Sequence, residues 1–328
     1  MPKMNSETKV ITVTLNPLLD FTLVTNFVAL GYHNQTTEST RLDPAGRGIS
    51  IARALHSLGV PVHAIVLVGH DTVGRTYQTL LAEEEFPISL IRRAGCTSSR
   101  VIVKDTGHKN ETLISEASDG VTHENIQSVV KMLQELVGPD DTVVFAGSLP
   151  GNLPTDTYAW LVDIAQSAGA KVAINAGGGD PLLQSLKAEP DFVYLTQNQA
   201  EGLFNRPIRV YEDIVGVAQK LREQGAKTVM IATDQIPSAV LVAEKNVWVA
   251  KWKEEAEGTQ SGRAEALIAG YLAGRLDHFS RDEALELGVA AATYTVSQLG
   301  HEFGTLKDLQ ERTEEVDVSS IDSGGETV

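Results

Sequence analysis

The sequence is poor in cysteine and in basic residues. Its 328 residues include a single cysteine, Cys96, so no disulfide can form within the chain, which is typical of cytoplasmic proteins. Lys and Arg number 27 against 43 Asp and Glu, which gives a formal net charge of −16. A chain this acidic offers no extended basic face, so we do not expect nucleic acid as a partner.

Long hydrophobic runs are missing as well. No stretch approaches the ~18 consecutive apolar residues of a membrane span, and residues 1–9 lack the apolar core of a secretory signal. The sequence therefore predicts a cytoplasmic protein that does not bind membranes. The first apolar run is followed by Leu15-Asn-Pro rather than by Gly-x-Gly-x-x-Gly, which argues against a dinucleotide-dependent oxidoreductase.

What the sequence does contain is a regular alternation of strands and helices. Short runs rich in β-branched residues end at Gly, Asn or Asp, as expected of strands buried on both faces of a parallel sheet. The predicted strands are residues 10–15, 62–68, 142–146, 171–174, 192–195 and 228–232. Helical periodicity predicts helices at residues 49–58, 211–223 and 282–299. The alternation indicates a doubly wound α/β fold with a mostly parallel sheet.

Two stretches depart from this alternation. Residues 21–42 and 89–114 alternate polar and apolar side chains, a pattern typical of antiparallel strands with one wet face. We interpret them as a small β-sheet lid over a cleft; irregular surface hairpins are the alternative. Residues 1–314 then form one domain, and the tail at residues 315–328, rich in Ser, Gly and acidic residues, is expected to be disordered.

Ligands of open α/β sheets bind beyond the carboxyl ends of the strands, and glycine-rich turns are predicted there. Gly46 and Gly48 flank Arg47 where a helix begins, so free backbone amides and a guanidinium could hold an anion. A plain loop before a helix is the alternative. In residues 69–74, Asp71 is expected to cap the next helix.

Two later segments combine carboxylates with helix starts. Asn198 and Glu201 follow the strand at residues 192–195, where they could hold Mg²⁺ through water or form a helix cap with its partner. In residues 258–270, a small polar turn leads into an apolar helix with Glu265 in its first turn. Backbone amides there could stabilise a developing anion, and Glu265 could act as a general base. The alternative is that Glu265 only complements the helix dipole.

The order of these segments resembles the phosphofructokinase-B branch of the ribokinase-like carbohydrate kinases, particularly its 1-phosphofructokinase and tagatose-6-phosphate kinase members. The resemblance extends over roughly residues 10–304. Its main carriers are Thr14-Leu-Asn-Pro-Leu-Leu-Asp20, residues 46–58, Gly69-His-Asp-Thr-Val-Gly74, Ala146-Gly-Ser-Leu-Pro150 and Asn198-Gln-Ala-Glu201. It implies a ribokinase-like domain with a β-sheet lid that often mediates dimers. It also implies transfer of the γ-phosphoryl group of ATP, with Mg²⁺, to a sugar hydroxyl.

The resemblance also implies roles for individual residues. In the branch that acts on phosphorylated ketohexoses, the substrate-binding positions are Asp20, Gly46, Arg47, Ser50, Arg100 and Lys104. The nucleotide-binding positions are Asn198, Glu201, Thr233, Gln235 and Ser238, and Glu201 also serves Mg²⁺ through water. The catalytic positions are Glu265 as the base and Gly262, Arg263 and Ala264 around the anion hole.

Several of these positions depart from the family pattern. The chain reads Gly262-Arg-Ala-Glu265 where the family has Gly-Ala-Gly-Asp, so the base is one methylene longer and an arginine replaces a small residue. Gln235 and Ser238 replace two glycines beside the nucleotide. The first hypothesis is an active kinase of a phosphorylated ketohexose. The alternative is a catalytically impaired homologue that binds a sugar phosphate or nucleotide in a regulatory role. In either case we expect a homodimer formed through the lid, because pairing two lids buries their open strand edges.

Overall fold

The computed structural model describes residues 8–117, 120–233, 238–253, 261–298 and 301–322. The strands are β1 (Val10–Thr14), β2 (Leu18–Thr25), β3 (Arg41–Ala45), β4 (Val62–Gly69), β5 (Ile88–Arg93), β6 (Ser98–Asp105), β7 (Asn110–Ser115), β8 (Thr142–Ala146), β9 (Lys171–Asn175), β10 (Phe192–Thr196), β11 (Thr228–Ala232), β12 (Ser238–Ala243), β13 (Asn246–Trp252) and β14 (Val316–Asp322). The helices are α1 (Arg47–Ser57), α2 (Thr72–Leu81), α3 (His123–Leu136), α4 (Thr157–Ser167), α5 (Gly179–Leu186), α6 (Gln197–Phe204), α7 (Tyr211–Glu223), α8 (Arg263–Leu276), α9 (Arg281–Val296) and α10 (Leu306–Thr313).

The main sheet has ten strands in the order β14-β13-β12-β11-β10-β9-β8-β1-β4-β5. The run from β5 to β11 is parallel, and β12, β13 and β14 continue it antiparallel. Alternate residues of β1 enter opposite cores, with Val10 in one hydrophobic cluster and Ile11 and Val13 in the other. Burial on both faces explains the near-continuous apolar runs in the sequence. The predicted doubly wound α/β fold and its six predicted parallel strands are confirmed.

The lid is a separate four-stranded sheet in the order β3-β2-β6-β7. Its bounds differ from the prediction. No strand is found at residues 26–40, and β5, within the stretch predicted as lid, pairs in parallel with β4 of the main sheet. The physical reason is that β5 is an edge strand with one partly exposed face, so it alternates polar and apolar residues as a lid strand does.

The predicted disorder of the tail is wrong for residues 316–322. β14 pairs antiparallel with the whole of β13, from Val316 opposite Trp252 to Asp322 opposite Asn246. Val316 is buried, Asp317 is exposed and Val318 packs against the core, so two valines supply the inner face. The edge of β13 supplies backbone hydrogen bonds that composition does not reveal. Residues 323–328 lie outside the described residues.

Helix packing brings two helix starts to the lid-facing end of the sheet. α8 packs against α1 on one side and α9 on the other. The contact with α9 is close, because a Cβ on Gly270 would lie 2.8 Å from the Cα of Gly288.

Within the described ranges, no helix has the length and apolar character needed to cross a bilayer.

Candidate active site

A cleft of about 310 Å³ lies where the lid faces the carboxyl ends of the parallel strands. The main domain contributes residues at strand ends and at the starts of α1 and α8, and the lid contributes side chains from β2, β6 and β7. The residues that line the cleft include Asn16, Gly46, Arg47, Ser50, Arg100, Glu111, Gly262, Arg263, Ala264, Glu265 and His301. The cleft therefore joins segments that are far apart in the sequence.

The start of α8 can receive an anion. Gly262 precedes the helix with φ of 81°, a left-handed conformation, and a Cβ there would lie 3.0 Å from Thr295 Cγ2. Gly262 has no side chain to cap the helix, and the first backbone hydrogen bond of the helix runs from Ala266 N to Gly262 O at 2.9 Å. The amides of residues 263–265 therefore precede the helical hydrogen-bond ladder, at the positive end of the helix dipole.

The start of α1 repeats this arrangement. Gly46 precedes the helix with φ of 120°, no side chain caps it, and the first backbone hydrogen bond runs from Ser50 N to Gly46 O at 3.0 Å. Arg47, the first helical residue, donates from Nη1 to Asn175 Oδ1 at 2.8 Å. Ser50 is buried and lines the cleft. A second set of free amides with an arginine beside it therefore opens onto the same cleft.

Arg100 extends from the lid into the cleft and is held by Asp20. Its Nε donates to Asp20 Oδ1 at 2.9 Å and its Nη2 to Oδ2 at 2.5 Å. Burial alone would lower the pKa of Arg100, but the hydrogen bond to Asp20 and the charges of Asp20, Glu265 and Glu111 raise it above its ordinary value. Arg100 is therefore a fixed cation, and the carboxylate of Glu265 lies close enough to interact with it.

Asp20 itself does not line the cleft. It is fully buried, and His301 Nε2 lies 3.0 Å from its Oδ2. Burial alone would raise the pKa of Asp20, but the hydrogen bonds from His301 and Arg100 lower it below its ordinary value. An ionised Asp20 accepts from both neighbours, so its carboxylate positions Arg100 rather than facing the cavity.

Lys104 is also placed away from the cleft. Its Nζ lies 3.4 Å from Glu111 Oε1, and Glu111 rather than Lys104 lines the cavity. The lysine therefore partly offsets the charge of an acidic residue beside the site. Of the substrate-binding residues that the resemblance implies, the structure brings Gly46, Arg47, Ser50 and Arg100 into the cleft and leaves Asp20 and Lys104 behind them.

The residues predicted for the nucleotide border a second cavity of about 400 Å³. Thr233 and Ser238 line it and hydrogen-bond to each other through their hydroxyls. Arg263 Nη2 donates to Thr233 O at 3.3 Å, so its guanidinium lies where this cavity meets the first cleft. Gln235 and the first three residues of the 258–270 segment lie outside the described residues.

Asn198 and Glu201 lie on α6, but neither lines these two cavities. Asn198 is exposed, and Glu201 Oε1 accepts from Ile208 N at 2.7 Å. The helix is capped by Thr196, with Gln199 completing the capping box, so the alternative of a helix cap at Asn198 is wrong by two residues. Asp71, in contrast, caps α2 as predicted. The described residues contain no group of three or more His, Cys, Asp or Glu side chains that could hold a metal ion.

His301 was missed by sequence reasoning. Its side chain is buried and lines the cleft, Nε2 is bonded to Asp20, and Nδ1 has no hydrogen-bond partner. The next residue, Glu302, accepts from Arg41 of β3 at 2.7 Å. The two residues therefore tie the lid to the main domain. No local pattern marks them, because their partners lie more than 250 positions away in the chain.

Residues 18–308 of the chain match a protein-family model that is described as "pfkB family carbohydrate kinase". The 1-phosphofructokinase of Bacillus subtilis (strain 168) is 29% identical over 310 residues, covering 94% of this chain and 99% of that protein. The 1-phosphofructokinase of Vibrio cholerae is 26% identical over 319 residues, covering 95% and 97%.

Solved structures share the fold at lower identity. Phosphofructokinase-2 from Escherichia coli, in complex with substrates and products, matches with a TM-score of 0.85 and 21% identity, covering 94% of this chain and 99% of that one. A possible 1-phosphofructokinase from Thermotoga maritima also matches with a TM-score of 0.85 and 21% identity, covering 95% and 99%.

Proposed function

Because the chain belongs to the pfkB family of carbohydrate kinases, we propose that it transfers the γ-phosphoryl group of ATP to a hydroxyl of a phosphorylated ketohexose. One observation carries the proposal. Two helices begin at the same cleft after a glycine, which has no side chain to cap them, and each has an arginine as its first residue, Arg47 on α1 and Arg263 on α8. Two anion receptors suit a substrate that already carries one phosphate and receives another.

The phosphate already on the sugar is assigned to Arg47 and the amides at the start of α1. Arg100 adds a second cation, which Asp20 holds in one orientation. A guanidinium fixed by a carboxylate loses little side-chain entropy when it binds a phosphate oxygen. The relatives named 1-phosphofructokinase make fructose 1-phosphate the first acceptor to test.

The chemical step is assigned to Glu265. Its carboxylate lies in the cleft at the start of α8, and it accepts the proton of the acceptor hydroxyl as that oxygen forms a bond to the γ-phosphorus of ATP. The bond from the γ-phosphorus to the β–γ bridging oxygen breaks, and ADP leaves. The amides of residues 263–265 face the negative charge on the transferring group, so catalysis rests on positioning and electrostatics.

The nucleotide is assigned to the neighbouring cavity, which Thr233 and Ser238 line. Lys251 and Arg209 add positive charge to the same cavity. Mg²⁺ supplies charge neutralisation on the nucleotide phosphates when it is bound. Glu201 would serve it through water from the carboxylate whose Oε1 accepts from Ile208 N, and Asn198 is exposed on the same helix.

A homodimer through the lid is part of the proposal. Leu42 and Ile114 are exposed apolar residues on one face of the lid sheet, and Leu30 and Tyr32 are exposed in the segment between β2 and β3. Apolar side chains gathered on a small sheet with open edges suit a second copy of the same sheet.

The proposal is tested by ADP release with fructose 1-phosphate, fructose 6-phosphate and tagatose 6-phosphate. We expect turnover on at least one of them and a loss of at least about 10²-fold in kcat for Glu265→Gln, because the base can no longer accept a proton. Absence of turnover on all three, combined with tight binding of one, would instead support the regulatory homologue. Turnover undiminished in Glu265→Gln would remove Glu265 from its role.

A further inference from the structure

Arg263 occupies the junction between the two cavities. Its side chain lines the cleft assigned to the sugar phosphate, and its Nη2 donates to the carbonyl of Thr233, which lines the cavity assigned to the nucleotide. A phosphoryl group that passes from the nucleotide to the sugar must cross this junction. The guanidinium thus lies between the cavity assigned to the sugar phosphate and the cavity assigned to the nucleotide.

The charge of Arg263 is not used by a carboxylate. Arg41, Arg53 and Arg100 each form an ion pair within 3 Å, with Asp43, Glu84 and Asp20 respectively. Among the described residues, no carboxylate pairs with Arg263.

The bond that Arg263 does make is weak. At 3.3 Å it is long for a hydrogen bond, its acceptor is a neutral carbonyl, and it uses one of the five N–H donors of the guanidinium. A partly buried cation with spare donors is stabilised most by an anionic ligand.

The cleft also contains buried polar atoms that have no hydrogen-bond partner among the described residues. His301 Nδ1 is buried without a hydrogen bond, and it lies 3.5 Å from the position a Cβ would take on Gly262, next to Arg263. Asn16 Oδ1, which belongs to another residue of the cleft lining, is likewise buried without a partner. Native proteins seldom leave such atoms unsatisfied, so these residues indicate a polar ligand in the cleft independently of Arg263.

We infer that Arg263 binds the phosphoryl group during its transfer, supplying from within the chain a guanidinium that adds to the backbone amides of α8. The inference rests on the proposed function, because it assumes that the phosphoryl group passes between these cavities. The family has a small residue at the position of Arg263. We therefore interpret the arginine as an added contact to the phosphoryl group rather than as an obstruction. As the bond from the γ-phosphorus to the β–γ bridging oxygen lengthens, negative charge builds up on that leaving oxygen, while the transferring group carries its charge on three equatorial oxygens. A cation that contacts these oxygens lowers the barrier.

The test compares Arg263→Ala, which restores a small side chain, with Arg263→Lys. We expect kcat to fall about 10²-fold in Arg263→Ala and less in Arg263→Lys, while KM for the sugar phosphate stays within about twofold. Millimolar guanidinium should restore part of kcat in Arg263→Ala. Arg222→Ala is the matched control, because Arg222 also donates to a backbone carbonyl, that of Lys227, and lines neither cavity. Its activity should be that of the wild type. A kcat in Arg263→Ala equal to or above the wild-type value would overturn the inference.

A binding measurement separates this inference from the proposed function. Calorimetry with inorganic tripolyphosphate needs no sugar and no turnover. We expect Kd to rise at least about tenfold in Arg263→Ala and to stay unchanged in Arg222→Ala, because the probe loses a charged contact. If the wild type turned over none of the sugar phosphates, the proposed function would fail, and the tripolyphosphate result would still decide the role of Arg263. Equal affinity in wild type and Arg263→Ala would refute that role.

Discussion

At the scale of single residues, the least expected feature is the way Asp20 is used. It joins a lid arginine to a histidine of the main domain while remaining fully buried. A buried ion pair adds little net stability over apolar residues, but removal of one partner leaves the other charge uncompensated. Asp20 therefore controls both the position of Arg100 and the attachment of the lid.

Asp20→Asn should affect binding and stability together. Arg100 would lose its charged partner, so we expect KM for the sugar phosphate to rise about tenfold and the free energy of unfolding to fall by about 3 kcal/mol. Steady-state kinetics and urea unfolding measure the two effects. Glu244→Gln removes an ion pair with Arg281 that is mostly exposed, and it should cost less than about 1 kcal/mol. Equal stability losses in the two variants would contradict the role of Asp20.

The same residue predicts a pH dependence of stability. The pKa of Asp20 is lower in the folded protein than in the unfolded chain, so its stabilising contribution is present above the unfolded value of about 4. That contribution is lost as the pH falls through the folded value. Urea unfolding of the wild type should show stability falling below about pH 4, and Asp20→Asn should show a shallower decline. Parallel pH profiles for the two proteins would rule out Asp20 as a source of the dependence.

Residue identities could be predicted where the sequence carries a local pattern. Arg47 was a candidate because it stands between two glycines at the start of a helix. Glu265 was a candidate because it is a carboxylate in the first turn of a helix that follows a polar segment. Both line the cleft. Local pattern does not tell whether a charge faces a ligand or another side chain. The family resemblance implies substrate contacts for Asp20 and Lys104, while the structure pairs them with Arg100 and Glu111.

At the scale of elements, the site depends on how α1 and α8 begin. Both helices follow a glycine with positive φ, which turns the preceding chain away and leaves the first amides open. The sequence shows this arrangement directly, because glycine is the residue that adopts this conformation without strain. The sequence of residues 316–322 does not reveal that β14 pairs with β13, because this pairing depends on the open edge of β13.

Gly262→Ala should disturb the start of α8. The new Cβ would sit 3.0 Å from Thr295 Cγ2 on a residue with φ of 81°, so we expect a loss of about 1–2 kcal/mol and at least about a tenfold drop in kcat. Gly216→Ala in α7 is the control, since a Cβ there meets nothing within 4 Å. That variant should be as stable as the wild type or more so. Normal kcat in Gly262→Ala would show that the helix start tolerates displacement.

At the scale of the whole molecule, the architecture was predictable because six of the parallel strands are buried on both faces and read as short apolar runs. The lid was predictable as a departure from that rhythm, but its strand bounds were not, since β5 alternates like a lid strand while pairing with β4. A cytoplasmic location stays a prediction from the single cysteine.

Assembly belongs to this scale too. Light scattering at micromolar concentration should give the mass of a dimer, and Ile114→Lys should shift the protein towards monomer, because it places a charge on an exposed apolar lid position. Val210→Lys is the control, since Val210 is also exposed and apolar but lies outside the lid. A monomeric wild type, or a dimer unaffected by Ile114→Lys, would contradict assembly through the lid.

The central claim is that one cleft receives two phosphate groups, one at each helix start. The most direct measurement is the ratio of kcat/KM for fructose 1-phosphate to that for unphosphorylated fructose, in the wild type and in Arg47→Ala. The account predicts a wild-type ratio of at least about 10³, reduced at least about tenfold in Arg47→Ala because the receptor for the sugar's own phosphate loses its cation. Comparable use of the two sugars by the wild type, or a ratio unchanged in Arg47→Ala, would contradict it.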